Sequence, residues 1–169
     1  FRGGNSNIFL KTMDGEKWSG EIRVTRHAGN DWEPAVALDA AGSVWVAYDT
    51  YKGGDYNVFL ARVMNGAVQG SEIAVAATPR FETRATVAVD SLNRVWVAWE
   101  EGPPGWGKDQ GYILRANPKG VQLGGKREAR IRAYENGQWK ETASPLAAAF
   151  PKGNVNVYQP HVFTGPAGA

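Results

Sequence analysis

Five carboxylates, three arginines and two histidines fall where chemistry could be done: Asp31, Glu33, Glu82, Glu101 and Asp109; Arg26, Arg80 and Arg84; His27 and His161. Two carboxylates across a cleft are what cleavage of a glycosidic bond uses, one as acid and the other as base or nucleophile. Arginines beside them would grip an anionic substituent. A plainer role competes, because charged residues on loops also keep a protein soluble and tie neighbouring elements together. The two histidines have no H-x-H or H-E-x-x-H spacing, and there is no cysteine, so neither a zinc site nor a thiol nucleophile is expected. No serine lies in a G-x-S-x-G elbow, and Gly53-Gly54 and Gly124-Gly125 read as turns, not phosphate loops. No metal, no cofactor and no catalytic residue is assigned from these residues.

Aromatic residues offer a different chemistry. Trp32 and Tyr158 begin two similar segments, and Trp106 sits in the Pro- and Gly-rich stretch Pro103-Pro104-Gly105-Trp106-Gly107-Lys108-Asp109. Flat rings bordered by polar groups stack on sugars or anchor a protein partner. Trp45, Trp96 and Trp99 recur inside apolar, alternating segments and are expected to be core.

The elements that must position these side chains follow from an internal repeat. A shift of 51 places residues 33–49, EPAVALDAAGSVWVAYD, on residues 84–100, RATVAVDSLNRVWVAWE. A shift of 50 places FRGGNSNIFL on YKGGDYNVFL at 51–60, and Tyr158-Gln159-Pro160-His161-Val162 echoes Trp32-Glu33-Pro34-Ala35-Val36. Each period holds four short strand patterns, in the clearest copy at 33–39, 43–49, 57–63 and 72–75. In Val44-Trp45-Val46-Ala47-Tyr48 the large residues alternate between faces, which suits a sheet buried on both sides. Gly42 and Asn93 end the first turn of two copies, and Asp14-Gly15, Asn65-Gly66 and Asn136-Gly137 mark the third-to-fourth connection, where tight hairpins need positive φ. Asp39 and Asp90 repeat as carboxylates expected to accept turn amides. Glu33 and Arg84 occupy matched positions on neighbouring first strands and are expected to pair.

Composition agrees with this pattern and removes several alternatives. The 169 residues carry 21 glycines, 9 prolines and 7 tryptophans, which fits a chain of many turns and short strands. Nineteen Lys and Arg against seventeen Asp and Glu leave a net charge of +2, too slight for nucleic acid as a partner. No apolar stretch is long enough to insert in a membrane, and FRGGNSN is not a signal peptide.

Four antiparallel strands per period, with tryptophan in the second, resemble bacterial β-propeller repeats of the sialidase type (BNR or Asp-box) or the TolB-like type. The resemblance runs through W-x-P-x-V-A-x-D…G-x-V-W-V-A-Y and covers nearly the whole chain. The Asp box of that family reads Ser/Thr-x-Asp-x-Gly-x-x-Trp. Thr12-Met13-Asp14-Gly15-Glu16-Lys17-Trp18 is one residue short of it, so sialidase activity does not carry over with the fold. The resemblance implies an all-β protein, a β-propeller segment of about three and a half four-stranded antiparallel blades and a piece of a larger propeller. It also implies a secreted or periplasmic bacterial location. The expected divisions of a single partial domain 1–169 are the end of a blade at 1–25, a blade at 33–76, a blade at 82–146 with an insertion at 101–128, and the start of a further blade at 157–169.

In such an architecture the segments 26–32, 50–56, 77–83, 101–128 and 147–157 emerge on one rim as loops, where binding residues concentrate. The stretch from Glu101 to Arg132 holds seven basic residues against three acidic, suited to an anionic group. The expected function is a non-catalytic repeat module binding a glycan or protein ligand through Trp32, Glu33, Arg84, Trp106, Lys108, Asp109, Tyr158 and Gln159. The alternatives are a sialidase-like or other glycoside-processing hydrolase using Arg26, Arg80, Arg84 and Glu33 or Asp31, and an accessory domain of a larger hydrolase. Self-association that closes the propeller, or completion by the rest of a longer parent chain, is the other expected partnership.

Overall fold

The computed structural model describes residues 4–104, 126–142, 146–150 and 156–165. Among them the fold is all-β, built from antiparallel meanders stacked face to face as propeller blades are. Two are complete. The first runs β5 (Asn30–Leu38), β6 (Val44–Lys52), β7 (Asp55–Met64) and β8 (Ala67–Ala76) in sequential order. The second runs β9 (Phe81–Val89), β10 (Val95–Gly102), β11 (Glu128–Glu135) and β12 (Gln138–Glu141), again in order. Ahead of them β1 (Phe9–Leu10) pairs with β4 (Ile22–Arg23), and β2 (Met13–Asp14) pairs with β3 (Lys17–Trp18).

Alternation decides the packing. Trp45 and Ala47 of β6, with Val58 and Leu60 of β7, face the second sheet and meet its Ala85, Val87, Val95, Val97 and Trp99 in one core. Val44, Val46 and Tyr48 point the other way and pack with Ile8 and Val24 in a second core. Strands β6 and β7 are thus covered on both faces, and seven consecutive residues of β6, Val44–Thr50, are buried. Trp45 and Trp99 are core as expected; Trp96 is half-buried, with Arg94 stacked over its ring.

The turns adopt the conformations their residues favour. Gly42 and Asn93 have φ of 78° and 62°, and Asn65-Gly66 and Asn136-Gly137 have positive φ at both positions, as a two-residue hairpin turn requires. The repeated aspartates do more than cap. Asp39 accepts the amides of Ala41 and Ser43 through Oδ1, and its Oδ2 accepts the Trp45 indole N–H at 3.0 Å. Asp90 repeats the arrangement with Leu92, Arg94 and Trp96, the last at 2.8 Å. Each carboxylate therefore locks a turn to the tryptophan that follows it six residues on.

One expected loop is absent. Residues 50–56 continue the β6–β7 ladder as far as Lys52 opposite Asp55, and Gly53 and Gly54 close it with φ of 64° and 81°. Two successive glycines make the reversal without splaying the strands.

Candidate functional site

The first strands of the two complete sheets are interrupted at the same place. In β5 the register with β6 slips between Trp32 and Ala35, and β9 slips against β10 opposite Ala98 and Glu100. The bulged residues are Glu33, with φ 48°, and Arg84, with φ 55°; Gln159, in the matching third segment, has φ 47°. Left-handed backbone is costly for a residue with a Cβ and persists only where the surroundings impose it. Here it re-aims three polar side chains, and all three line one open cleft of about 360 Å³ with Pro34, Thr86 and His161.

At Arg84 and Gln159 the left-handed backbone is held by a carboxylate from the second strand of the preceding sheet. Asp49, buried in β6, accepts the amide of Ala85 at 3.4 Å. Its repeat counterpart Glu100, fully buried in β10, accepts the amide of Gln159 at 3.3 Å. Glu100 also binds the Arg84 guanidinium at 2.8 Å and pairs with the buried Arg127. Arg84 thus stands with one nitrogen fixed from below and a side chain 36% exposed above, 4.0 Å from the Glu33 carboxylate. The expected Glu33–Arg84 pairing is present, but Glu100 is the stronger partner.

Burial pushes the Asp49 carboxyl up to about 7; the Arg84 and Ala85 amides and the Arg84 charge oppose that rise, and the Glu33 charge adds to it. Burial likewise raises Asp31 and Glu82, which hydrogen bonds from threonines oppose. Asp31 lies 3.1 Å from Nε2 of His27, whose Nδ1 accepts the Gly29 amide. Glu82 takes both the amide and the hydroxyl of Thr78.

Aromatic rings extend the site along the rim. Trp32 packs against Tyr51 and Tyr56 at 6.3 and 6.0 Å, and Tyr56 meets Phe81 edge-on at 5.2 Å. The Arg127 guanidinium lies 4.6 Å over Phe81 and 5.9 Å over the exposed ring of Tyr158. Trp32 is therefore one half-buried member of an aromatic strip, not a lone platform.

The expected residues sort accordingly. Glu33, Arg84 and Gln159 converge on the cleft; Trp32 and Tyr158, next to Glu33 and Gln159 in sequence, do not line it, and Trp32 lines a second cleft with Asn7 and Phe9. Trp106, Lys108 and Asp109 lie outside the described residues, as does the apolar run Tyr112-Ile113-Leu114. The arginines of the hydrolase reading do not converge free: Arg80 is held by Glu101 at 2.7 Å and Arg84 by Glu100. Among the described residues no group of three or more acidic or histidine side chains is arranged to hold a metal. Sequence reading missed Asp49, Glu100 and Arg127. For the first two the signal was present, an acidic residue closing both V-W-V-A-x segments; for Arg127 there was none.

No protein-family model and no curated protein matches the chain. Among solved structures it is similar to the Hadza microbial sialidase Hz136, at 10% sequence identity and a TM-score of 0.46, over 74% of this chain and 32% of that one. The chain spans about a third of the length of that sialidase.

Proposed function

We propose that the chain is a non-catalytic propeller repeat module that binds a glycan at the cleft where Glu33, Arg84 and Gln159 meet. The observation that carries the reading is the repeated left-handed bulge, which turns an acceptor, a cationic donor and an amide into one open space. Sugar hydroxyls donate and accept at once, and such a mixed set of planar polar groups answers both needs. The strip of Trp32, Tyr51 and Tyr56, with the exposed ring of Tyr158, offers ring faces for the apolar side of a pyranose. Glu33 and Arg84 carry opposite charges, which favours a neutral sugar over a strongly anionic one.

A hydrolase would need a second, unengaged carboxylate facing Glu33. Asp31 is buried against His27, and Asp49 lies beneath the bulge as its hydrogen-bond acceptor. The test is titration of the chain with a panel of neutral and acidic oligosaccharides, followed by tryptophan fluorescence, beside an assay with chromogenic glycosides. Saturable binding without turnover, weakened at least tenfold by Arg84→Ala and unchanged by Lys140→Ala, is the expected result. Turnover that disappears in Glu33→Gln would replace the binding reading with the hydrolase one.

A further inference from the structure

Two interfaces between neighbouring sheets share one register and are filled differently. In the second sheet Val97 pairs with Arg132 and Tyr134 with Trp139; in the first, Val46 pairs with Ala61 and Val63 with Val68. Ala61 therefore stands where Arg132 does, and Val68 where Trp139 does. Between the two complete sheets the large pair fills the space. The Arg132 guanidinium lies 4.1 Å over the Trp139 ring and 5.8 Å over Trp99, and it donates to the Ala74 carbonyl at 3.2 Å. Glu141 and Glu82 support its charge against the cost of burial.

On the other side of the first sheet, against β4, the small pair leaves an open groove of about 580 Å³. Its apolar wall is Ile22, Val24, Ala61 and Val68, and Arg23 holds the position of Ala74. Its polar groups centre on Glu72, whose Oε2 accepts the Tyr48 hydroxyl at 3.0 Å and lies 3.7 Å from Nε2 of His27. Glu21 adds a second, exposed carboxylate. Asp31, the counterpart of Glu82, is buried 3.1 Å from the same His27 nitrogen. Of the two arginines along the groove, Arg23 is taken up by the Thr25 carbonyl and the Asn7 side chain, and Arg26 is exposed.

We propose that this groove binds a planar cation carried on an aromatic ring, an aryl amidine or guanidine, in the places that Arg132 and Trp139 hold one repeat later. The ring lies against Ile22, Val24 and Val68, and the cation meets the Glu72 carboxylate in a charge-assisted hydrogen bond. An apolar wall with a few convergent polar groups, in a space of this size, is what a small-molecule site requires. None of the residues lining the groove lines the Glu33–Arg84 cleft, so the two sites are separate.

The test is calorimetric titration of the full chain with benzamidine, beside benzamide as the neutral compound of the same shape. Saturable binding of one benzamidine is expected, with benzamide weaker by about tenfold or more and Glu72→Gln weakening benzamidine to a similar degree. Val68→Trp and, separately, Ala61→Arg rebuild the filled interface and are expected to abolish binding. Near-ultraviolet circular dichroism and the urea midpoint check that each variant stays folded. Absence of benzamidine binding to the wild type would overturn the proposal. So would benzamide binding equally well, an affinity indifferent to Glu72→Gln, or binding that survives in either folded filling variant.

Discussion

The carboxylate of Asp49 and the amide of Ala85 meet 3.4 Å apart across the boundary between two sheets. One strand's side chain therefore sets the backbone of the next sheet's first strand, and Glu100 does the same to Gln159. The sheets are joined by apolar packing over their width and by this polar clasp at the rim. The clasp is what gives the cleft its shape.

Its acidity follows from its burial. The folded state holds the Asp49 carboxyl up to about 7, well above its value in the unfolded chain, so folding favours the protonated form. The stability this group contributes is complete at low pH and is lost as pH rises through about 7. Asp49→Asn keeps a carbonyl to accept the Ala85 amide and removes the ionisation. Urea denaturation is expected to find the variant more stable than wild type at pH 8, by a margin that is smaller at pH 5 and vanishes toward the unfolded carboxyl's 3.8. Equal stabilities at both values would contradict the assigned shift.

Asp39 and Asp90 carry the opposite slope. Burial alone would raise them, but the turn amides and the indole N–H groups of Trp45 and Trp96, with Arg94 on Asp90, hold both carboxyls below their ordinary value. Their contribution is present above the unfolded pKa and is lost as pH falls through the folded one. Asp39→Ala leaves the amide of fully buried Ser43 and the Trp45 indole without this acceptor. A loss of about 2–4 kcal/mol is expected at pH 7, with a flatter acid limb in the same pH series of urea denaturation.

Glu100 holds two guanidiniums at once, Arg84 and the buried Arg127. Glu100→Gln leaves those like charges facing each other in a site with little water. The expected cost is about 3–5 kcal/mol, the range for breaking a buried pair from one side. Removing the second partner as well, in Glu100→Gln with Arg127→Met, is expected to restore part of it. A double-mutant cycle on urea midpoints reads the coupling directly; additive losses would show that Glu100 does not hold Arg127 in place.

The fold was legible because its signals are local. Alternation in Val44-Trp45-Val46-Ala47-Tyr48 assigned both faces of β6 correctly, and the Asn-Gly pairs named the hairpin turns before any coordinate did. The Asp39–Trp45 spacing recurs at Asp90–Trp96, but only coordinates reveal that the carboxylate reaches the indole. The bulges were illegible for a physical reason. Glutamate, arginine and glutamine do not favour positive φ, and a following proline, as after Glu33 and Gln159, biases a residue toward extended backbone. The conformation of Arg84 and Gln159 is held from the neighbouring sheet by Asp49 and Glu100, which no window of sequence contains.

That imposed strain gives the sharpest test of the cleft. Glycine inside a strand ordinarily weakens it, because it forfeits packing and conformational restriction. Glu33 is an exception by its geometry: φ is 48°, the side chain is 54% exposed, and its nearest cation is 4.0 Å away. Little packing is lost on truncation, while the backbone strain of the left-handed position, about 1 kcal/mol or more, is relieved. Glu33→Gly is therefore expected to be neutral or stabilising by up to about 1 kcal/mol in urea denaturation, whereas Val46→Gly in the core strand beside it is expected to unfold the chain. If Glu33 serves the ligand, the same variant is expected to lose oligosaccharide binding while gaining stability. A residue that costs stability in place and binding when removed is held there for the cleft; a variant that keeps full binding would remove Glu33 from the ligand site.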